Sequence, residues 1–255
     1  MKRLIQAEAL KHKHSSVGKL SWLMPLASVL MAAFLMGSYF AVNSYNWWYT
    51  GVYPAMMALL GASIVNRDRK KEYHTIGTLP LNMGRVWDAK MAVAMAYAAV
   101  AMVALLVLTI VGTVLLKVGA GMEFIVEPTL KQQLVAVALI WFGGLWQLPF
   151  AMLLAQRLGM ILTMLISTVV YVGTFLVGVL LPTFFLYPGA LVPRMMVPVL
   201  GILPNGLLAI PGSVTYSPEL LDSASLMSGS VAALVWLALF WLIGRKCFER
   251  TVQGK

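Results

Sequence analysis

The stretch MAVAMAYAAVAMVALLVLTIVGTVLL, residues 91–116, contains no charged side chain over its 26 residues. A helix needs about 20 consecutive apolar residues to cross the roughly 30 Å hydrocarbon core of a bilayer. This stretch is long enough, and it predicts a transmembrane helix. The chain has five further apolar segments, at 21–42, 47–65, 133–154, 159–182 and 225–244. The sequence therefore predicts an all-α membrane protein with six transmembrane helices.

The composition of the 255 residues agrees with this prediction. Hydrophobic residues make up 60% and charged residues 11%, with a mean hydropathy of +0.84, whereas soluble domains carry about 25% charged residues. A soluble globular domain and a disordered chain are therefore excluded. The single cysteine, Cys247, excludes an internal disulfide. The net charge of +10 is distributed as a membrane topology requires, so we expect no nucleic-acid partner.

The lysine and arginine residues predict the orientation of the spans. An even number of spans places both termini on one side, and that side carries 16 of the 19 basic residues. The opposite side holds Lys117, Lys131 and Arg194. Basic residues accumulate in cytoplasmic segments, so both termini are predicted to be cytoplasmic. A cleaved signal peptide is the alternative for 1–40, but the apolar run is long and lacks a convincing cleavage site.

Residues 1–19 precede the first span and contain a predicted interfacial helix over 2–14. Leu4, Ile5 and Leu10 are placed to lie against lipid, while the basic side chains of the same segment reach the headgroups. A frayed basic tail is the alternative that the pattern leaves open.

The segment 183–218, before the last span, is apolar yet rich in proline. Seven of the twelve prolines fall within 182–218, and proline breaks a helix interior. Irregular backbone at membrane depth is tolerated only where it is buried against protein. We therefore expect an outer re-entrant element of short broken helices, with a turn at Pro204-Asn205-Gly206. Two additional spans would keep the parity, but the proline spacing argues against them.

No pattern in the sequence indicates catalysis or a metal site. The predicted spans contain essentially no ionisable residue away from their ends, and such residues mark most intramembrane functional sites. The H-E-x-x-H, G-x-S-x-G and Walker phosphate-loop patterns do not occur. The sequence therefore predicts a protein that is not an enzyme, holds no metal and does not itself bind ATP.

The loop 66–90 is the largest predicted cytoplasmic feature. Tyr73, Ile76 and Leu79 recur every three residues, so a short helix there would carry one apolar stripe. Pro80 would end this helix. Its polar face would carry Glu72, Thr75 and Thr78. An exposed apolar stripe predicts a partner's groove or the membrane surface, and a surface helix with solvated charges is the alternative.

Trp47, Trp48 and Tyr49 open the predicted second span at its outer face. Indole and phenol rings favour the membrane interface, so an anchor belt is one interpretation. An aromatic patch that contacts a ligand is the other, with Trp141 and Trp146 as further members.

The loop 66–90 resembles that of permease subunits of type-2 ABC exporters. The members of this pattern are Glu72, Gly77-Thr78-Leu79-Pro80, Arg85 and Lys90. Nearly the whole chain, from the basic interfacial helix to the proline-rich element, resembles the permeases of lantibiotic-immunity ABC transporters. The stretches that carry this narrower resemblance are Asn46-Trp47-Trp48-Tyr49-Thr50 and Leu203-Pro204-Asn205-Gly206. Those transporters export a membrane-active lanthionine peptide and protect the cell from it.

This resemblance implies one permease domain over 1–255, in a bacterial plasma membrane. Its implied partners are two copies of an ATP-binding subunit, which hold the ATP and magnesium, and a second permease, either a paralogue or a second copy. The implied ATPase contacts are Glu72, Tyr73, Thr75, Ile76, Gly77, Thr78 and Leu79, with Glu8 and Lys11 of the interfacial helix beside them. A lantibiotic peptide would contact Trp47, Trp48, Tyr49, Trp141 and Trp146, and membrane lipid would surround the spans.

Two other functions remain open at this point. The same fold exports other drugs, lipids or natural products. A membrane protein that sequesters the peptide without ATP, as an immunity or sensory factor, would have a similar composition.

Overall fold

The computed structural model describes residues 1–13, 15–35, 37–71, 73–78 and 80–253. Within these ranges six helical segments are long and apolar enough to cross a membrane. They are Ser16–Leu35, Gly37–Arg69, Met83–Gly119, Leu130–Leu158, Met160–Gly178 and Ala224–Val252. The predicted all-α architecture with six spans is confirmed.

The α-helices follow the chain in a simple order. Their bounds are α1 Lys2–His12, α2 Ser16–Leu35, α3 Phe40–Trp47, α4 Tyr53–Arg69, α5 His74–Gly77, α6 Met83–Val114, α7 Leu130–Gly144, α8 Gln147–Leu158, α9 Met160–Gly178, α10 Leu191–Leu200 and α11 Ala224–Gln253. Two π-helical turns extend this set, Trp48–Val52 between α3 and α4 and Leu115–Gly119 after α6. Span two therefore comprises α3, the first π turn and α4, and span four comprises α7 and α8.

The helical bundle has two ends, which we call the basic end and the proline-rich end. The basic end comprises α1, α5, the last turns of α4, the first turns of α6 and the C-terminal turns of α11. The proline-rich end comprises residues 179–223, with α10, and the parts of spans two and four that pack against them. The spans run between these ends, with α4 against α8 and α9, and α2 against α6. Gly61 permits the close approach of α4 and α8, because a Cβ there would lie 3.0 Å from Cβ of Ala151.

The boundary between spans one and two lies earlier than the sequence predicted. Residues 43–46 were expected to connect the segments 21–42 and 47–65, but they belong to α3. The chain turns instead at Gly37–Tyr39. Asn43 and Asn46 misled the prediction, because amide side chains are typical of loops, whereas both are buried here.

The loop between spans two and three is shorter than the predicted 66–90. Span two continues to Arg69, and α6 begins at Met83. Asn82 starts α6 by accepting a hydrogen bond from the backbone N–H of Arg85 through Oδ1 at 3.0 Å. Lys90, predicted as the last loop residue, consequently lies within a helix.

The π turn in span two has an identifiable cause. The N–H of Tyr53 donates to the carbonyl of Trp48, five residues back, so the carbonyl of Tyr49 loses its ordinary partner. The next residue is Pro54, which has no N–H to offer. The hydroxyl of Tyr171 in α9 donates to that carbonyl at 2.5 Å and satisfies it. Span two is thereby joined to span five at this turn.

The proline-rich segment before span six folds as short broken helices. Phe184–Leu186 and Pro188–Ala190 form single 3-10 turns, and α10 follows with nearly all its residues buried. The turn at Pro204-Asn205-Gly206 is confirmed: the N–H of Gly206 donates to the carbonyl of Leu203 at 2.8 Å, and Gly206 has a φ of +85°. The re-entrance of this segment into a membrane stays a prediction.

Candidate functional site

Four charged side chains meet at the basic end and form what we call the charge cluster: Glu8, Lys11, Asp68 and Lys90. Lys90 Nζ lies 3.0 Å from Glu8 Oε2 and also donates to Asp68. Lys11 Nζ lies 2.6 Å from Glu8 Oε1 and 3.3 Å from Asp68 Oδ1. The cluster joins α1 to the end of α4 and to the beginning of α6. Its two positive and two negative charges balance.

Burial decides how important the charge cluster is for the fold. Lys90 is completely buried and Glu8 is 4% exposed. A buried charge is costly without a partner, and removal of one member of a buried pair leaves the others uncompensated. The cluster therefore fixes α1 to spans two and three, rather than leaving it free on the membrane surface.

The charge cluster also shifts the pKa values of neighbouring groups on α1. Burial alone would lower the pKa of Lys11, but the hydrogen bond with Glu8 and the charges of Glu8 and Asp68 raise it overall. Burial, and then the positive charge of Lys90, lower the pKa of His12 to about 4. His12 Nε2 has no hydrogen-bond partner among the described residues. His12 therefore stays neutral at pH 7.

The predicted coupling helix is present as α5, but its apolar side chains point into the protein. Tyr73 and Ile76 are 3% and 4% exposed. The ring of Tyr73 packs edge-on against Phe248 of α11, with centroids 5.8 Å apart. A Cβ on Gly77 would lie 3.6 Å from Val252, also in α11. The expectation that Tyr73 and Ile76 are exposed to a partner is therefore wrong: both are buried, and Phe248 of the long C-terminal helix covers the ring of Tyr73.

The C-terminal end of α5 is accessible. Gly77 and Thr78 are exposed, as is Arg85 at the beginning of α6. The hydroxyl of Thr78 donates to the carbonyl of His74 at 3.1 Å. Glu72 and Leu79 lie outside the described residues, as does the side chain of Thr75. Of the predicted coupling residues, Gly77 and Thr78 thus form the accessible part, while Glu8 and Lys11 belong to the charge cluster.

The aromatic residues of span two are not at its outer end. Trp48 and Tyr49 are fully buried in the π turn, eleven and twelve residues after the span begins, and only Trp47 is partly exposed. The prediction that they open the span as an interface belt is wrong. The physical reason is that span two begins at Gly37, so these residues lie inside it, where the ring of Trp48 packs against Tyr53.

Trp141 and Trp146 lie on span four in different surroundings. Trp141 is partly exposed and donates through Nε1 to the carbonyl of Met95 at 3.3 Å. Trp146 is buried and packs against Phe240 of α11, with centroids 6.0 Å apart. Among the five predicted contact residues, only Trp47 and Trp141 therefore present surface to a ligand in this conformation.

Asn43 and Asn46 form a polar junction with the proline-rich end that the sequence did not reveal. A Cβ on Gly206 would lie 3.0 Å from Asn46 Nδ2 and 3.7 Å from Asn43 Oδ1. Asn43 Nδ2 and Asn46 Oδ1 have no hydrogen-bond partner among the described residues. The stretches 46–50 and 203–206, distant in sequence, are thus adjacent in space, and partly exposed Trp47 stands beside them. Buried polar groups require partners. The two asparagines beside an apolar segment were therefore the feature of the sequence that could have indicated this junction.

The side chains of the described residues indicate no metal site. No group of three or more His, Cys, Asp or Glu side chains there is arranged to hold a metal ion. The charge cluster contains two carboxylates, but two lysines occupy them.

A comparison with protein families gives one match. The family model described as ABC-2 family transporter protein matches residues 4–173, which is 170 of the 255 residues. The matched part includes the charge cluster, α5 and the π turn, and it ends within α9. Comparisons with curated proteins and with solved structures give no match.

Proposed function

Since the chain belongs to the ABC-2 family of transporter proteins, we propose that it is the permease of an ATP-driven exporter that expels a membrane-active lantibiotic peptide and thereby protects the cell. The family and the six apolar helices make it a multi-pass membrane protein that works with a separate ATP-binding subunit. The peptide substrate is the narrower part of the proposal.

We place the basic end in the cytoplasm of a bacterial cell, where the ATP-binding subunits would be. The sequence predicts both termini and 16 of the 19 lysine and arginine residues on this side. Such a bias is typical of cytoplasmic segments. The partner subunits, in two copies, would hold the ATP and its magnesium ion.

The observation that carries the proposal is the two-sided packing of α5. Its inner side chains, Tyr73 and Ile76, are buried, Tyr73 against Phe248 of α11, while Gly77 and Thr78 remain exposed. A force applied to the exposed edge is therefore passed to span six through packed side chains. Because packed interiors deform little, such a seat transmits movement from an ATPase to the spans.

The charge cluster would give α1 a place in the same transmission. It connects α1 to span two through Asp68 and to span three through Lys90. Movement of the ATP-binding subunits would then shift α1, α5 and three spans together. The spans would change between conformations of different population as ATP is bound and hydrolysed.

The peptide would bind near the junction of Asn46 and Gly206. The two stretches that resemble lantibiotic-immunity permeases are adjacent there, and their amides are incompletely satisfied. Trp47 and Trp141 offer partly exposed amphipathic rings. A site of this kind suits a peptide with apolar side chains and a few polar groups, and it requires no buried charge.

Copurification from membranes tests the coupling role. We expect a tagged chain to retain an ATP-binding subunit and a second permease, either a paralogue or an untagged copy. Thr78→Arg should reduce both retention and stimulated ATP hydrolysis at least fivefold, because a long cation enters the contact. Thr183→Arg is the matched control, since Thr183 is an exposed threonine at the proline-rich end. Equal retention and hydrolysis by both variants would refute the coupling role of α5.

Peptide protection tests the proposed substrate. Trp47→Leu should lower the lantibiotic concentration that cells survive, whereas Phe34→Leu, at an exposed aromatic residue of span one outside both proposed sites, should not. If Trp47→Leu keeps full protection against the peptide but loses protection against another drug class, the substrate belongs to that drug class and not to the lantibiotics.

A further inference from the structure

Two grooves meet at Lys13, near the beginning of span one. The first lies between α1 and α6, is lined by Ala9, Leu10, Lys13 and Tyr97 among others, and has a volume of about 600 Å³. The second, of about 690 Å³, follows the beginning of α2 and is lined by Lys13, Ser15, Gly18, Lys19, Trp22 and Leu23. The grooves share Lys13. They are separated where Gly18 faces Tyr97, since a Cβ on Gly18 would lie 3.9 Å from Tyr97 Cε1.

The positive charges in these grooves have no counterion among the residues that the structure describes. Lys13 and Lys19 are exposed, and no described carboxylate lies within ion-pair distance of either. The only acidic residue among the first 67 is Glu8, and Lys11 and Lys90 already occupy its carboxylate. The grooves therefore present two free cations to whatever enters them.

The walls next to these cations are apolar. Leu10 is 69% exposed on one side of Lys13, and Trp22 and Leu23 are 57% and 59% exposed on the other. Trp22 and Leu23 belong to span one, so this wall continues from Lys19 into the membrane-spanning segment. A tryptophan at this position is typical of the depth at which headgroups meet acyl chains.

From this arrangement we propose that the two grooves bind an anionic phospholipid from the leaflet at the basic end. Its negatively charged headgroup pairs with Lys13 and Lys19, and its acyl chains lie along Trp22, Leu23 and Leu10. A zwitterionic lipid carries no net charge, because its own cation cancels the phosphate, so it would leave both lysines without a net counter-charge. Basic pockets between membrane helices select anionic headgroups by the same electrostatic attraction.

The bound lipid would hold α1 from the side opposite to the charge cluster. Glu8 and Lys11 fix one side of this helix to spans two and three, while Leu10 and Lys13 line the groove. The position of α1 would then depend on the lipid composition of the membrane. This inference does not depend on the identity of the exported substrate.

Native mass spectrometry of the full-length chain tests the site directly. The purified, delipidated protein is titrated with phosphatidylglycerol and, separately, with phosphatidylcholine. We expect one phosphatidylglycerol to bind at least tenfold more tightly, since each lysine near a membrane surface contributes measurably to anionic lipid binding. Lys13→Gln with Lys19→Gln should abolish this preference. Lys2→Gln with Arg3→Gln removes the same charge from exposed positions outside the grooves and should retain it.

A second pair of variants tests the shape of the groove without changing the charge. Gly18→Leu fills the second groove and should weaken phosphatidylglycerol binding at least fivefold. Gly173→Leu, at an exposed glycine of span five with no atom near its Cβ, is the control and should bind normally. Inorganic phosphate in excess should not displace the lipid, because it lacks the acyl chains. The proposal is overturned by equal losses in the two charge variants, by unchanged binding in Gly18→Leu, or by complete displacement with phosphate.

Discussion

At the basic end, four clustered charges, of which only Lys11 is partly exposed, connect three helices. At the proline-rich end, one buried arginine, Arg194, donates to backbone carbonyl groups, and amides, prolines and apolar side chains make the other contacts. The chain also has an ion pair of another kind, between the π turn after α6 and the loop before α7. Lys117 and Glu127 lie 2.6 Å apart with about half of each side chain exposed, while Lys90 is fully buried. A buried ion pair and a solvent-exposed ion pair therefore contribute differently to stability, even at similar distances.

Replacement of the central lysine tests this difference most severely. Lys90→Met leaves Glu8 and Asp68 buried with only Lys11 between them, and we expect it to lower the free energy of unfolding by about 3–5 kcal/mol. Lys117→Met is the matched control and should cost no more than about 1 kcal/mol, because water solvates the glutamate that remains. Reversible unfolding in mixed detergent measures both. Equal losses would show that the charge cluster is no more important than a surface pair.

A pH series distinguishes the two ends through His12. The pKa of His12 is lowered to about 4 in the folded protein, whereas an unfolded histidine has a pKa near 6.5. Between these pH values the unfolded chain binds a proton that the folded chain does not bind. Stability should therefore fall as the pH decreases from about 6.5 to 4, by about 2 kcal/mol at pH 5 from this group. His12→Gln should flatten the curve in this window. An unchanged slope would contradict a buried, neutral His12.

The junction of Gly206 with Asn46 at the proline-rich end is expected to depend on shape rather than on charge. Gly206→Ala and Gly212→Ala both place a side chain at positive φ, which costs about 1–2 kcal/mol. Only Gly206 lies against another residue, since its Cβ would approach Asn46, whereas nothing lies within 4 Å at Gly212. Thermal unfolding should show the larger loss for Gly206→Ala. Equal losses would indicate that the junction with Asn46 is not closely packed.

The smallest expected effect is at the π turn, between the two ends. Tyr171→Phe removes the hydroxyl that satisfies the carbonyl of Tyr49, and interhelical hydrogen bonds in membranes contribute about 0.6 kcal/mol on average. Tyr49→Phe removes a buried hydroxyl that has no partner among the described residues, so it should cost nothing. The two variants differ by one hydrogen bond, and their difference in unfolding free energy measures it. A Tyr49→Phe variant that is less stable than Tyr171→Phe would contradict this assignment.

The features predicted correctly from the sequence are those that depend on a local pattern of residues. Apolar runs such as 91–116 identified six spans, and the proline spacing identified the broken segment with its turn at Gly206. The boundary between spans one and two was wrong because Asn43 and Asn46 are polar yet buried, and polarity alone does not distinguish a loop from a helix that packs under one. Tyr73 and Ile76 were also predicted to be exposed, and this was wrong. No pattern near these residues in the sequence indicates that α11 extends far enough to cover Tyr73.

The charge cluster was beyond the reach of sequence patterns. The spacing of Glu8 and Lys11 suits a pair on one turn of a helix, and this part was visible. The contact of Glu8 with Lys90 joins residues 82 positions apart, and only the packing of α1 against α6 brings them together. The resemblance implies that Glu8 and Lys11 lie beside the ATPase, and this role remains a proposal. The structure adds their contacts with Asp68 and Lys90.

The most direct test of the central claim uses cells that produce the chain together with its ATP-binding partner. The partner is replaced by a variant that binds ATP but does not hydrolyse it, and the survival of the cells in lantibiotic is measured. We predict that protection falls to the level of cells without the transporter. Full protection in the absence of ATP hydrolysis would contradict the account, because the chain would then protect by sequestering the peptide on its own.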